Sequence, residues 1–285
     1  MLAFADAGMS DDILKIWQDA FPEDRPEDAR RFLSKFLSPD KCAVWLEGGK
    51  PVSMTFMLPA KLVVNGQPCL NLIYIYAAAT LSAYRGRGIF GRLLTQVHEY
   101  LKASNIDATF LHPAEDGLYG YYKRFGYQEY FKVCTETVAA DRLQGMAYEK
   151  PEKIYKYSPE TRNGLLESFP VWVEWPEELV FLAAENALQA GGEVVTIPGG
   201  EAVCEPFEGR VFIREWLCRP EYEDMLLNAV NSRFPGREIL LRRPVKPDEE
   251  CKGEKFGMIC PLNLKAGDIV RDTANYSPYM GFAFD

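Results

Sequence analysis

The chain has 285 residues, 47% of them hydrophobic and 26% charged, with a formal net charge of −9. That apolar content fills a core for one large or two ordinary domains, and the acidic balance disfavours nucleic-acid partners, whose binding draws on surplus Lys and Arg. No apolar run reaches the roughly eighteen residues of a membrane span, and the opening MLAFADAGMSDDILKIW meets Asp6, Asp11 and Asp12 where a leader would be basic, so a folded, cytoplasmic protein without membrane partners is expected.

Ile13, Leu14, Trp17 and Phe21 recur at helical spacing, and Phe32, Leu33, Phe36 and Leu37 repeat the pattern after the acidic, proline-broken linker PEDRPED. Two amphipathic helices therefore open the chain. Residues 42–80 read as a meander of antiparallel strands punctuated by Gly48-Gly49 and Asn65-Gly66, and the wholly apolar run from Leu72 to Ala79 reads as a central strand. Ile89, Phe90, Leu93, Leu94, Val97 and Leu101 then set a helix from near Gly88 to a left-handed cap near Asn105. A strand over 107–113, a short helix over 115–127 closed by Gly126, and a further strand in YQEYFKVCTETV follow.

Beyond Tyr155, SPETRNGLLESFPVW and EELVFLAAENALQAG read as helices and GEVVTIPGGEAVCEPFEGRVFIREWLC as strands joined by tight turns. PEYEDMLLNAVNSRF then reads as a helix, REILLRRP as a strand and residues 242–255 as a polar surface loop. Helix, helix, meander, helix, strand repeats the order of the first half, so a second copy of one fold is the simplest reading. The tail YSPYMGFAFD is aromatic and apolar, which suits a terminus that docks. Seven cysteines without a Cys-x-x-Cys pair, and two histidines, point to buried thiols and to neither a disulfide framework nor a metal site.

The stretch SAYRGRGIFGRLL, residues 82–94, concentrates the chemistry. It joins the apolar strand to the following helix, where first-turn amides lack internal partners and the peptide dipoles leave partial positive charge. Gly86 and Gly88 remove side chains that would hold a ligand off the backbone, and Arg85, Arg87 and Arg92 add charge, with no Asp or Glu between Ala79 and Glu99. The feature suits a phosphate or diphosphate. Its spacing fits neither a nucleotide P-loop nor the Gly-x-Gly-x-x-Gly of a dinucleotide fold.

YRGRGIFGRLL resembles the acyl-CoA-binding motif Arg/Gln-x-x-Gly-x-Gly/Ala of the GNAT superfamily of N-acetyltransferases, and YYKRFGY resembles its later motif Tyr-x-Lys/Arg-x-Gly-Phe/Tyr. With the two opening helices, the meander and FLHPAEDGLYGYYKRFGY, the chain is most similar to the branch that includes the enhanced-intracellular-survival type. The resemblance implies an α/β fold with a mixed sheet, in two tandem GNAT-like domains: a catalytic one over 1–145 and a degenerate one over 146–285. The second would not hold coenzyme, because Glu221, Glu223 and Asp224 stand at the matching helix start and repel phosphate.

The same resemblance implies acetyl-CoA as co-substrate and no metal. Amides of Gly86, Arg87, Gly88, Ile89, Phe90 and Gly91 would cradle the diphosphate, with Arg85, Arg87 and Arg92 near its charges, and Ala78, Ala79 and Thr80 would meet the pantetheine arm. Phe90 stands where the family usually has its second Gly or Ala, and it still offers an amide if its ring turns inward. Tyr122 aligns with the tyrosine that protonates the departing thiolate, a group of pKa about 8.5 that a phenol of pKa about 10 can assist without strong perturbation. The strand LIYIYAAAT carries no carboxylate to act as general base. His112, Asp19, Glu23, Asp24 and the C-terminal carboxylate of Asp285 are the candidates, the last being the group proposed for the branch resembled.

The implied reaction moves an acetyl group to a primary amine of a small molecule or protein. A CoA-binding sensor without catalysis, and an aminoacyl-transferring tandem relative that uses charged tRNA, are the alternatives. The acceptor's identity and the oligomeric state are not written in the sequence.

Overall fold

The computed structural model describes residues 1–140, 156–246, 249 and 252–284. The sequence-based boundary at 145/146 therefore lies outside the described residues. By packing, the chain divides into two compact units that interleave: Met1–Ala60, Leu70–Gln128 and Met258–Ile269 form the first, and the described parts of 61–69, 129–257 and 270–285 form the second.

The first unit opens with β1 (Leu2–Phe4), α1 (Ser10–Ala20) and α2 (Pro26–Phe36). Ile13, Leu14, Ile16 and Trp17 of α1 and Ala29, Phe32, Leu33 and Phe36 of α2 are buried, as their spacing requires. Pro26 at the first turn of α2 has no use for the amide it lacks, and Glu27 and Asp28 complement the dipole there. The two helices meet through Trp17 and Phe32, with ring centroids 5.3 Å apart, and each such buried side chain contributes roughly 1.5–3 kcal/mol.

The strands β2 (Cys42–Glu47), β3 (Lys50–Val64), β4 (Gln67–Thr80), β5 (Ala108–Leu111) and β12 (Glu254–Pro261) continue the sheet in that order after β1. Pairing is antiparallel for β1 with β2, for β2 with β3 and for β5 with β12, whereas β4 and β5 run parallel with α3 (Ile89–Ala103) as their crossover. Gly48, Gly49, Asn65 and Gly66 all take positive φ, so both hairpins close on the turn residues expected for them. The short helix α4 (Asp116–Lys123) ends before Gly126, whose φ of +88° lets the chain reverse.

The second unit contains β6 (Gln128–Val138), α5 (Pro159–Leu166), β7 (Val171–Glu174), α6 (Glu177–Gln189), β8 (Glu193–Ile197), β9 (Gly200–Phe207), β10 (Arg210–Cys218), α7 (Glu223–Arg233) and β11 (Ile239–Arg243). Strands β8, β9 and β10 form an antiparallel meander, β11 joins β10 in parallel, and β6 adds antiparallel to β11. Its core gathers Val195, Ile197, Val211, Ile213, Trp216, Leu226, Val230, Ile239 and Leu241. The tail docks here: Tyr279 and Met280 are fully buried, and the Trp175 indole donates to the Met280 carbonyl at 2.6 Å. Asp285 lies outside the described residues.

Four expectations need correction. The segment SFPVW does not extend α5: Pro170 disfavours a helical residue before it, and Val171–Glu174 instead pair as β7 with Lys61–Val64. Strand β12, with Gly257 in its middle, begins within the segment read as a surface loop. Helix α8 (Leu264–Thr273) was not anticipated. Cys134 is disulfide-bonded, while Cys42, Cys69, Cys204, Cys218 and Cys260 are free thiols. Among the described residues no helix is long and apolar enough to cross a membrane, and no three His, Cys, Asp or Glu side chains are grouped to hold a metal ion.

Two buried titratable groups contribute to the pH dependence of stability. In the first unit, His98 Nε2 lies 3.1 Å from both Tyr127 Oη and Thr109 Oγ1, and burial pushes the imidazole down to about 4 from an ordinary 6.5. The folded protein resists protonating it, so this stability is present above pH 6.5 and lost toward pH 4, by about 3 kcal/mol. In the second unit, burial and then the charge of Glu215 push Glu201 up to about 8 from 4.5. Its neutral form favours folding, so that stability is fully present below pH 4.5 and lost as pH rises through 8. In thermal melts across pH 4–9 the two contributions offset each other between about pH 4.5 and 6.5 and stability falls from there toward pH 8, a fall that Glu201→Gln should abolish and that His98→Gln should extend down to about pH 4.5. An alkaline limb equally steep in Glu201→Gln would contradict this assignment.

Candidate active site

The junction between β4 and α3 has the geometry of an anion cradle. Gly86 and Gly88 both sit in the left-handed region, at φ +76° and +69°, and Gly88 caps α3 without any side-chain cap. Among the described residues none of the backbone N–H groups of Gly86, Arg87, Gly88, Ile89, Phe90 and Gly91 donates a hydrogen bond. Residues 85–88 are exposed, and a Cβ on Gly86 would meet nothing within 4 Å. Six consecutive unpaired amides at a helix N-terminus match the oxygens of a diphosphate.

The arginines help to produce that arrangement by occupying the carbonyls. Arg85 Nε donates to Thr80 O at 2.9 Å, Arg87 Nη2 to Ala83 O at 2.9 Å and Arg92 Nη1 to Arg87 O at 3.0 Å. With the turn's carbonyls held on one side, its amides are left to the other. Arg87 also lies over the Tyr84 ring and Arg92 over the Trp45 ring, at 5.0 and 5.3 Å.

Asp19, a candidate base by sequence, has another role in the structure. From the last turn of α1 its carboxylate accepts from Ser82 N at 2.6 Å and Ser82 Oγ at 2.9 Å, and it stands 3.4 Å from Arg85 Nη2. These bonds, the Ser82 amide first, hold its pKa below the usual carboxylate range. The turn is therefore not free of acid, as the local sequence suggested. Asp19 fastens α1 to the turn and offsets one of the three arginine charges. Asp24 is likewise engaged, accepting from Trp17 Nε1 at 2.7 Å. Neither acid is a free base, and Glu23 is exposed.

Gly91 has a packing role beside the one its place in the motif suggests. It is buried, and a Cβ there would stand 2.8 Å from Phe125 Cζ, so the missing side chain lets α3 close onto the end of α4. Phe90 is half-buried with its ring stacked beside Tyr121, 6.5 Å between centroids, which leaves its amide at the turn.

Strand β4 reaches the turn through a kink. Its pairing with β5 covers only Leu72 to Tyr74, and Ala77, buried within the strand, takes a φ of +47°. A left-handed alanine costs about 1–2 kcal/mol, and here it separates β4 from β5 and opens the strand edge that precedes the turn. Ala78 and Thr80 are half-buried and Ala79 is buried. The Ala79 carbonyl accepts from Ser53 Oγ at 2.7 Å, and Thr80 Oγ1 lies 2.8 Å from the same hydroxyl. Ala77→Val, a branched side chain in that region, is expected to lower stability by about 2 kcal/mol or more in chemical denaturation, while Ala77→Gly should leave it equal or higher. An Ala77→Val protein as stable as the parent would count against the strain.

Tyr122 lies in α4 with 8% of its surface exposed, its ring packed edge-on against Tyr121 and Tyr127 at 5.3 and 5.7 Å. Its hydroxyl bonds to no described residue. Burial first, and Tyr121 second, raise its pKa well beyond that of an ordinary phenol, a stronger perturbation than the sequence suggested. His112 follows the last residue of β5 and is half-buried.

Residues 4–130 match the family described as an acetyltransferase (GNAT) domain. No curated protein matches the chain in sequence. Among solved structures it is similar to a probable N-acyltransferase of unknown function from Enterococcus faecalis (14% identity, TM-score 0.74, 93% of this chain and 73% of that one). It is similar also to a GCN5-related N-acetyltransferase from Kribbella flavida (16%, 0.70, 93% and 73%). Eis1 from Mycobacterium abscessus shares the fold too (14%, 0.65, 93% and 74%). Over nearly the whole chain the mixed α/β fold is thus shared with these solved structures.

Proposed function

We propose that this protein is an N-acetyltransferase that moves an acetyl group from acetyl-CoA to a primary amine. The row of six unpaired amides from Gly86 to Gly91, braced by Arg85, Arg87 and Arg92, carries the reading, and the GNAT domain match over residues 4–130 supports it. The diphosphate would lie on those amides and the pantetheine arm along Ala78, Ala79 and Thr80, where β4 leaves β5.

In the reaction a neutral amine attacks the thioester carbonyl and forms the C–N bond. A backbone amide of the opened strand steadies the oxyanion. The C–S bond then breaks, its electron pair stays on sulfur, and Tyr122 gives the thiolate its proton. The ammonium proton leaves to solvent, and the Tyr122 phenolate takes a proton back from there. An amine of pKa about 10.4 is neutral in only about one molecule in 2,500 at pH 7, so a base that collects its proton would add about 4.6 kcal/mol. With Asp19 and Asp24 engaged, His112 and Asp285 remain the candidates for that role.

The second unit, with the order helix, strand, helix, meander, helix, strand, is read as a degenerate tandem copy. Its meander leads through Pro220 and Glu221 to Glu223 and Asp224 at the start of α7, acids that complement the dipole in place of a phosphate. Titration calorimetry with acetyl-CoA, followed by thiol release over a panel of polyamine, aminoglycoside and lysine-peptide acceptors, tests the reading. Binding with release supports it. Binding without release on any amine favours a coenzyme sensor, and no binding removes the coenzyme altogether.

A further inference from the structure

Two helix ends meet just before the amide cradle, and each supplies what the other lacks. Helix α1 has no basic residue in its last turn, where the carbonyls are without intrahelical partners. The 3-10 turn Ser82–Tyr84, which leads from β4 into the cradle, has neither a side-chain cap nor an acid in its first turn. Arg85 answers the first need, because its Nη2 donates to Asp19 O at 3.2 Å. Asp19 answers the second, its Oδ2 accepting from Ser82 N at 2.6 Å and its Oδ1 from Ser82 Oγ at 2.9 Å. The two caps are reciprocal and close on one ion pair, with 3.4 Å between Arg85 Nη2 and Asp19 Oδ2.

The pair also grips β4. Arg85 Nε donates to Thr80 O at 2.9 Å, so one guanidinium ties the last residue of the strand to the end of α1. Two residues back along α1, Trp17 packs edge-on against Tyr76, with 5.9 Å between ring centroids. Helix α1 therefore braces β4 on both sides of the left-handed Ala77: at Tyr76 before it and, through Arg85, at Thr80 beyond it. The stretch between those anchors is the opened strand edge that precedes the amides.

An Arg85 that faced the diphosphate would make Asp19 a competitor, whose loss tightens coenzyme binding. An Arg85 committed to Asp19 makes the loss of either partner weaken it. The geometry favours commitment: Nε and Nη2 are both engaged within the protein, which leaves Nη1 alone where a forked phosphate contact uses two nitrogens.

We propose that Asp19 and Arg85 are one positioning unit, through which α1 fixes the β4–α3 turn in the shape that binds coenzyme, and that neither side chain meets the diphosphate. This role rests on the coenzyme reading above, and calorimetry with acetyl-CoA on the full chain separates the two. Asp19→Ala is expected to weaken acetyl-CoA about tenfold, although it removes a negative charge from beside the cradle. Arg85→Lys keeps the charge but loses the fork that joins Thr80 to Asp19, and it should weaken acetyl-CoA about as much. Because both substitutions break one unit, the double variant should lie within about threefold of either single one.

Asp19→Asn keeps the size of the side chain and an acceptor for the Ser82 amide, so it should bind more weakly than the parent and more tightly than Asp19→Ala. If alanine unfolds the end of α1, Asp19→Asn alone decides, and affinity equal to or above the parent's overturns the proposal. Equal or tighter binding in Asp19→Ala, parental affinity in Arg85→Lys, or losses that multiply to about 100-fold in the double variant overturn it as well. No binding by the parent removes the coenzyme reading itself, and the positioning role with it.

Discussion

Gly88→Asp is expected to lower acetyl-CoA affinity about 100-fold in calorimetry while leaving the melting temperature within a few degrees of the parent. The position sits at φ +69°, where aspartate is among the better tolerated side chains, and a Cβ there meets only Arg92 Nη1, at 3.5 Å. Folding is therefore spared. The new carboxylate would stand among the amides that the diphosphate needs and about 5 Å from its oxygens, where two unit charges repel by about 3 kcal/mol at an effective dielectric near 20. An acid at a helix N-terminus is itself favourable, so the variant gives up the ligand and not the helix. Gly88→Asn, equal in shape and uncharged, should lose about tenfold or less, and added salt should narrow the gap between the two. Equal and undiminished affinity in both variants would remove the cradle from coenzyme binding.

How far this site could be read from the chain depends on where its partners lie in sequence. The helix periods, the Gly48-Gly49 and Asn65-Gly66 hairpins and the glycine-arginine turn are local patterns, and each stands in the structure where its residues put it. Asp19 is not local: 63 residues separate it from Ser82, and nothing in DDILKIWQDAF marks one acid of that helix as a fastener of the turn. Ala77 gave no signal because alanine is an ordinary strand or helix residue, and its positive φ is seen only where β4 runs on beyond its last pairing with β5. Gly91 carries a constraint that its place in the motif does not reveal: Phe125, brought against it by α4, leaves no room for a side chain there. In the second unit β7 is only four residues long and β12 carries a glycine in its middle, so neither reached the length or pattern by which strands are recognised.

Tyr122→Phe is expected to reduce kcat about 100-fold or more and to leave the dissociation constant for acetyl-CoA within about threefold. The substitution removes one oxygen from a ring that stays packed against Tyr121 and Tyr127, so the fold and the distant amide cradle are untouched. What disappears is the proton for the departing sulfur, and a loss confined to kcat is the signature of an interaction made in the transition state. The direction of the pKa shift adds a second readout. Because burial holds the phenol protonated well above pH 10, the parent's rate should climb with pH as the acceptor amine loses its proton, with no fall near 10 from an ionising tyrosine. A normal phenol in that role would bend the profile downward there. If kcat is unchanged in Tyr122→Phe, the sulfur leaves as a free thiolate, and the buried tyrosine is part of the core and not of the chemistry.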